Sequence, residues 1–406
     1  MRILEKLIKA TLKKYNPTII GISGSVGKSV AKGALEAVFE SNGYNLSVMG
    51  GLANTQTDME RALLGFSARR SLAAVVVGSA LRLIFGNHFP RTIILEYPLL
   101  GQADLRARLK FAKPDILVLI GLGELPFRAD IYENQDALLK DIAHLVQSVS
   151  HKGTIVINGD DKKLMELKPK GTVVTFGFGE GVTIRLANPE NRVEDSKLLG
   201  VSFKLEYQGS FVPVRMDEIV GKFYAYAAGA ASAVGLTRGL NLVKISEGLS
   251  SYRGEPGKSR LLPGIKNSWL IDDTYDSSWW GVAEASKLLG ELPGARKIAV
   301  LGDILDLGVE TESGHIQIGR LASKSADVLI TVGPRAKFIA EGAKAAQSGI
   351  DIYSFDESGQ AGEKVQEILK SGDLVLIKGS KHLRMEDIVL ELMAEPEKAS
   401  ELLVRR

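Results

Sequence analysis

The chain has 406 residues, 45% hydrophobic and 24% charged, with a formal net charge of +3. That length accommodates two or three domains, and the composition is that of an ordinary globular protein with ample material for a core. Near-neutral charge, without a Lys/Arg block interleaved with aromatics, gives no footprint for nucleic acid. With no cysteine at all, disulfides, thiolate nucleophiles and cysteine-held metals are excluded, which fits a cytoplasmic protein.

The first expected element is an amphipathic helix within residues 1–16, with Ile3, Leu4, Leu7, Ile8 and Leu12 set between lysines. It has neither the unbroken apolar core nor the small-residue cleavage site of a signal peptide.

The stretch that organises the chain follows, Pro17-Thr-Ile-Ile-Gly-Ile-Ser-Gly-Ser-Val-Gly-Lys-Ser-Val-Ala-Lys-Gly33. Thr18 to Ile20 reads as a buried strand. A turn with Gly21, Gly24 and Gly27 comes next, and Lys28 and Ser29 open a helix carrying Ala31, Ala34, Leu35 and Val38. Glycines let backbone amides close on phosphate oxygens, and a helix N-terminus adds partial positive charge. Gly24, Ser25, Val26 and Gly27 would thus cradle a nucleoside triphosphate. Lys28 would reach its β- and γ-phosphates, and the Ser29 hydroxyl would join a Mg²⁺ shell. The spacing is G-x-x-G-x-x-G-K-S, with Ile22 where the strict phosphate-loop pattern has glycine. The plainer alternative is a glycine-rich turn that binds nothing.

Tyr44 to Val48 is an expected strand, Gly50 to Asp58 a polar loop, and residues 59–85 a helical region. Its most apolar part, Leu72 to Phe85, is too short to span a bilayer and is interrupted by Arg82, so a buried or interfacial helix is expected, with membrane contact the lesser alternative. Thr92-Ile-Ile-Leu-Glu96 is a buried strand ending in a carboxylate that could ligate Mg²⁺; the alternative is a solvated strand-end Glu. A helix at Asp104 to Phe111 and a strand at Asp115 to Ile120 continue the alternation. Apolar strands alternating with helices indicate a parallel sheet covered on both faces. Ligands of such sheets sit at the strands' carboxyl ends, where Gly24, Glu96 and Gly121 fall.

Residues 136–149 read as a helix, and Gly153 to Asp161 as a strand and turn. From about 172 to 215 short strands alternate, with Val201 to Tyr207 and Ser210 to Met216 forming a hairpin. An Ala-rich helix is expected at Gly221 to Leu240. The turn-forming Tyr252-Arg-Gly-Glu-Pro-Gly-Lys258 marks a boundary, giving domains 17–255 and 256–406. Beyond it, strands at Trp269–Ile271, Ile298–Leu301, Val328–Val332, Ile352–Phe355 and Leu374–Ile377 alternate with helices, the last at Met385 to Met393. The expected fold is α/β: a phosphate-loop domain with a mostly parallel sheet and a β-rich insertion, then a Rossmann-like C-terminal α/β domain.

Several stretches together resemble the Mur ligases, most closely the branch that adds D-alanyl-D-alanine to a UDP-muramoyl tripeptide. They are Gly21 to Ser29, Leu95-Glu96, Asn158-Gly-Asp-Asp161, Ile271-Asp-Asp-Thr-Tyr-Asp276, Val300-Leu-Gly-Asp-Ile-Leu-Asp-Leu-Gly308, His315 and Lys378-Gly-Ser380. The resemblance implies an ATP- and Mg²⁺-dependent ligase of cell-wall peptide synthesis. ATP would convert a substrate carboxylate into an acyl phosphate, which an amine then attacks. The substrates implied are a UDP-muramoyl peptide and an amino acid or dipeptide. By resemblance Lys28, Glu96 and His315 are catalytic candidates. Lys258, Asp272 and Tyr275 join the phosphate loop at the nucleotide, with Asp273, Lys378 and Ser380 close by where the C-terminal domain closes.

The chain also departs from the family pattern. Val30 and Ala31 follow Ser29 where a Thr/Ser run is usual, and Asn54-Thr55-Gln56 replaces a paired Asn and Glu. Without gaps, the family's His falls on Arg128, and its carbamylated lysine, which helps hold a second Mg²⁺, falls on Ile142. Lys140 and His144 lie on another helix face from Ile142. Phe223-Tyr224 replaces a His-Asn pair, Lys258 an arginine, and Tyr275-Asp-Ser-Ser-Trp279 a Tyr-Asn-Ala-Asn-Pro run. The branch carries a UDP-sugar-binding domain ahead of the phosphate loop, where this chain has one helix. UDP-muramoyl binding is then expected to be rebuilt from other surfaces, supplied by a protein partner, or lost. Two alternatives follow: a degenerate homologue that binds nucleotide without ligating, and a ligase for a different amino acid or a polyglutamate-like substrate.

Overall fold

The structure, a computed structural model, describes all residues except 1, 51–54, 87, 123–130, 195–196, 306, 347–348 and 406. Its frame is two sheets lying on either side of the Tyr252–Lys258 segment.

The first sheet contains β1 (Thr18–Ser23), β2 (Leu46–Val48), β3 (Thr92–Glu96), β4 (Ile116–Leu119), β5 (Thr154–Asn158), β6 (Thr172–Gly177), β7 (Ile184–Glu194), β8 (Lys197–Tyr207) and β9 (Ser210–Asp217). Their order is β2-β3-β1-β4-β5-β6-β7-β8-β9. Pairing is parallel from β2 to β7 and antiparallel from β7 to β9. The β-rich region is therefore a continuation of the parallel sheet, and the expected hairpin is β8–β9, turned at Gln208 and Gly209.

The strands nearest β1 are apolar throughout because both faces are covered, and alternate residues go to opposite cores. Ile20, Ile22, Ile116 and Val118 pack under helices Lys28–Ser41, Lys222–Thr237 and Leu242–Ser251. Ile19, Ile93, Leu117 and Leu119 pack under helices Arg2–Tyr15, Gln56–Leu63, Gln102–Phe111 and Gln135–Ser148. The alanines of Lys222–Thr237 let it lie close against the sheet: a Cβ on Gly229 would sit 2.8 Å from the Phe176 ring.

The second sheet contains β10 (Arg260–Gly264), β11 (Ser268–Asp273), β12 (Arg296–Gly302), β13 (Val328–Val332), β14 (Asp351–Phe355) and β15 (Asp373–Lys378), in the order β10-β11-β15-β12-β13-β14. All pairs are parallel except β10–β11. β10 is not among the expected strands; it contains Pro263, which its place at the sheet edge tolerates.

One expectation needs correction. Residues 59–85 do not make a single helix. Gln56–Leu63 ends at a left-handed Gly65 (φ 73°), and Leu72–Phe85 starts anew after Ser71, whose hydroxyl accepts from the Ala74 amide. Nor is Leu72–Phe85 a buried helix: only Val75 and Ser79 on it are buried. No helix among the described residues is long and apolar enough to cross a membrane.

Candidate functional site

The carboxyl ends of β1, β3 and β4 converge on the phosphate loop. Gly24 (φ 142°) leaves β1 so close to β4 that a Cβ would sit 2.7 Å from the Gly121 carbonyl and from Ile120. The Ser25 amide donates to that same carbonyl at 2.9 Å, which fixes the loop's height above the sheet. Gly27 then enters helix Lys28–Ser41 with φ 85°, a conformation in which glycine alone is unstrained. The helix start carries no side-chain cap, so its first-turn amides are available to an anion. Lys28 folds back over the loop, its ammonium donating to the Gly24 and Ser25 carbonyls at 2.8 and 3.2 Å.

Glu96 closes β3 opposite Ile22 and is completely buried. Its carboxylate lies 2.9 Å from the Lys32 ammonium, which also donates to the Met49 carbonyl at 3.0 Å. Burial opposes the charge on Glu96, but Lys32, Lys258 and Lys28 outweigh it and hold the carboxyl below the usual range. Burial likewise opposes the charge on Lys32, and Glu96 with Glu255 holds its ammonium above the ordinary lysine value. Lys32 went unread in the sequence. The signal was present: it stands four residues after Lys28, one helical turn on and on the same face.

The loop forms one wall of a cavity of about 360 Å³, and the second half of the chain forms the other. Ser25 to Val30, Glu96 and Phe223 face Lys258, Asp273, Tyr275, Trp279, Lys378, Ser380 and Lys381. Asp273 ends β11 and pairs with the buried Lys378 ammonium at 3.0 Å; that ammonium also donates to the Asp276 carbonyl at 2.9 Å. Burial pushes the Asp273 carboxyl up despite this lysine. The Lys258 ammonium lies 4.1 Å from the centre of the Tyr275 ring and 3.1 Å from Glu255. The segment carrying Lys258 is held from both sides. Tyr224, on the first half, donates its hydroxyl to the Lys258 carbonyl, while the Gly257 amide donates to Asp272 and the Gly257 carbonyl accepts from the Tyr275 amide. Upstream, Tyr252 is buried against Gly33, where a Cβ would sit 2.6 Å from its hydroxyl.

A phosphate loop sharing one chamber with a second α/β sheet is matched by comparison with known proteins. Residues 22–235 match the Mur ligase middle domain, and residues 262–381 match the Mur ligase glutamate ligase domain. The chain belongs to the Mur ligase family. It is 26% identical over 395 residues to UDP-N-acetylmuramoyl-tripeptide–D-alanyl-D-alanine ligase of Bacillus subtilis (strain 168), covering 97% of this chain and 79% of that one. It is 22% identical to the enzyme of the same name from Escherichia coli (strain K12), over 92% of this chain and 76% of that. In fold it is similar to MurF ligase from Thermotoga maritima in complex with ADP, with TM-score 0.78 and 20% identity over 97% of this chain and 84% of that one. A pseudomurein peptide ligase type C from Methanothermus fervidus is also similar, with TM-score 0.66 and 16% identity over 94% and 80%.

In this Mur ligase the structure gathers most of the expected site residues and sets others apart. Ser25, Val26, Gly27, Lys28, Ser29, Glu96, Lys258 and Tyr275 all line the chamber. Asp272 does not. Its neighbour Asp273 does, because adjacent strand residues point to opposite faces. Asp272 is fully buried and accepts from the Gly257 amide and from the Thr274 amide and hydroxyl. Burial pushes its carboxyl up to about 6, against those bonds. His315 is also fully buried and outside the chamber wall. Its Nε2 accepts from the Ile304 amide at 3.0 Å, and its Nδ1 lies 2.6 Å from the Thr311 carbonyl. Both ring nitrogens are therefore engaged with backbone, and burial holds the imidazole pKa low. It fastens the segment that carries Leu305 and Leu307 to the chamber wall.

Ile142 is fully buried among Leu138, Leu145 and Val146 in the core under the first sheet. Arg128 and Asn54 lie outside the described residues. Gln56 bonds to Glu60 at 3.0 Å within the helix that Thr55 and Asp58 cap. The Asn158-Gly-Asp-Asp161 stretch braces strand ends: Asn158 donates to the Ile120 carbonyl, Asp161 accepts from the Leu122 amide, and Asp160 accepts from the Phe178 and Gly179 amides. Among the described residues no group of three or more His, Cys, Asp or Glu side chains is arranged to hold a metal.

Proposed function

We propose that this chain is an ATP-dependent ligase that forms an amide bond in peptidoglycan precursor synthesis, a reading supported by relatives named UDP-N-acetylmuramoyl-tripeptide–D-alanyl-D-alanine ligase. On this reading it works in the cytoplasm on a UDP-muramoyl peptide and an amino acid or dipeptide, through an acyl phosphate. Residues 17–255 are the nucleotide-binding domain, and residues 256–406 the domain that closes on it. The observation that carries the reading is that an uncapped helix start, Lys28 and Glu96 share one chamber with Lys258, Asp273 and Lys378.

Each chamber residue has a task that its chemistry suits. The amides of Val26 to Ser29 at the helix start receive phosphate oxygens. Lys28, resting on two carbonyls of its own loop, exchanges them for the stronger partner that a phosphate offers. The donor set fits one Mg²⁺: the Ser29 hydroxyl and the Glu96 carboxylate are hard oxygens, and the ion would neutralise phosphate charge and orient the transferred group. Lys32 keeps Glu96 ionised for that role. Lys258, Lys378 and Lys381 present positive charge from the opposite wall to the polyanionic reactants.

The test is a mixture of purified chain, Mg-ATP, UDP-muramoyl tripeptide and D-alanyl-D-alanine, followed for inorganic phosphate and for ligated product by mass spectrometry. Product is expected, and Lys28→Ala should lower its rate by about a hundredfold or more. A panel of amines identifies the acceptor, and ligation by the purified chain alone dispenses with a partner protein. The apolar burial of Ile142, where the resemblance puts a modified lysine, favours a second reading as a nucleotide-binding scaffold. Nucleotide binding without product for any amine would support that scaffold and refute the ligase.

A further inference from the structure

Helix Leu72–Phe85 turns Val75 and Ser79 inward and leaves a strip of large apolar side chains in solvent. Val77, Leu81, Ile84 and Phe85 are 59%, 52%, 68% and 77% exposed. Their spacing of four, three and one residues places them on one helical face. Single exposed apolar residues are ordinary on a protein surface, but an uninterrupted strip marks a contact.

The surroundings of the strip are basic. From Arg61 to Leu95 the chain contains no Asp or Glu but five arginines. Arg69 and Arg70 are exposed just ahead of the helix, and Arg91 just beyond it. The neighbouring helix Arg2–Tyr15 exposes Lys6, Lys9, Lys13 and Lys14 and has Glu5 as its single acid. The two helices are locked side by side. Lys14 donates to the Leu83 and Gly86 carbonyls at 2.9 and 3.0 Å, and the Tyr15 hydroxyl donates to the Arg82 and Gly86 carbonyls at 2.7 and 2.8 Å. The platform is thus formed before anything docks on it.

We propose that this face docks on an anionic lipid bilayer, with Leu81, Ile84 and Phe85 entering the boundary between headgroups and acyl chains and the basic residues meeting lipid phosphates. The charge is complementary to that surface and to no second copy of this chain, since pairing two such faces would oppose like charges. Fourteen residues of helix reach about 21 Å, short of a bilayer core of about 30 Å, so the helix lies on the membrane. One apolar strip plus a basic rim supplies the two signals that stable peripheral attachment needs. The proposal stands independently of the ligase reading, because none of these residues lines the chamber.

The test is flotation of the full chain with vesicles of phosphatidylglycerol and phosphatidylcholine, and with vesicles of phosphatidylcholine alone. Binding is expected on the anionic vesicles and should weaken as salt rises. The double substitution Ile84→Ser/Phe85→Ser should lower partitioning about tenfold or more. Arg69→Gln/Arg70→Gln should weaken binding to anionic vesicles only. Both pairs are exposed, so an unchanged thermal midpoint confirms that the variants fold. Absence of binding to anionic vesicles overturns the proposal, as does equal, salt-insensitive binding to both kinds. A chain that ignores vesicles and forms a dimer dispersed by Ile84→Ser/Phe85→Ser would instead make the strip a protein interface.

Discussion

Replacing Lys32 by methionine isolates the buried Lys32–Glu96 ion pair, whose carboxylate reaches the chamber. At 2.9 Å and an effective dielectric of about 20, the two charges attract by about 6 kcal/mol. Taking both from water costs several kcal/mol each, so the intact pair contributes little net stability. The variant keeps the cost on Glu96 and loses the attraction. Removing one partner of such a pair typically costs about 3–5 kcal/mol. Lys28 and Lys258 also act on Glu96, so the lower end, about 3 kcal/mol, is expected. The pH dependence gives the sharper signature. In the native chain Glu96 has a lowered pKa, so its contribution is present above its unfolded value of 4.5 and is lost as pH falls through the folded value. Lys32 has a raised pKa, so its contribution is present below 10.5 and is lost as pH rises through the folded value. Without Lys32, burial dominates and the Glu96 pKa rises above 4.5. The variant's stability then declines as pH climbs from there towards neutrality. Urea unfolding should therefore show a deficit that is small in acid and full near pH 7. Adding Glu96→Gln should restore at least half of it. A deficit below about 0.5 kcal/mol, or one equal at both ends of the range, would refute the reasoning.

Two further substitutions separate support from chemistry. His315→Ala leaves the Ile304 amide without its acceptor inside the protein and should cost about 2–3 kcal/mol in urea unfolding, while nucleotide affinity by calorimetry changes little. Because burial lowers the His315 pKa, its contribution is present above its unfolded value of 6.5 and is lost as pH falls through the folded value; the variant should lack that loss. Ile142→Lys, which restores the residue type that the family resemblance expects there, places an ammonium in an apolar core. It should destabilise by more than about 3 kcal/mol without raising ligase activity; a variant with native stability and higher turnover would show that the position faces the reactants.

The frame was readable because its signals are local. β-branched runs at Thr18–Ile20 and Thr92–Leu95 could only be covered strands, and Gly24, Gly27, Lys28 and Ser29 carry their chemistry in fixed spacing. What escaped the sequence depends on contacts between distant segments. Lys32 acquires its meaning from Glu96, sixty-four positions away, and β10 exists because Ser268–Asp273 offers it an edge. Asp272 and Asp273 cannot be told apart by type; strand alternation sends one to brace Gly257 and the other into the chamber. His315 was a candidate by resemblance alone, and its burial with two backbone partners depends on residues the sequence could not place beside it. The break within the helical region 59–85 rests on the left-handed Gly65, a conformation that glycine permits but does not require.

The segment carrying Lys258 sets a limit on how the chamber can open. Tyr252 is seated on the first half and Gly257 is bonded to the second, five residue steps from anchor to anchor, a tether of at most about 18 Å. A leash that short, together with the bonds from Val220 to Ser259 and from Leu261 to Glu218, ties the halves along one seam. Any widening of the gap over the phosphate loop is then expected as rotation about this seam, least beside Lys258 and greatest at the far rim.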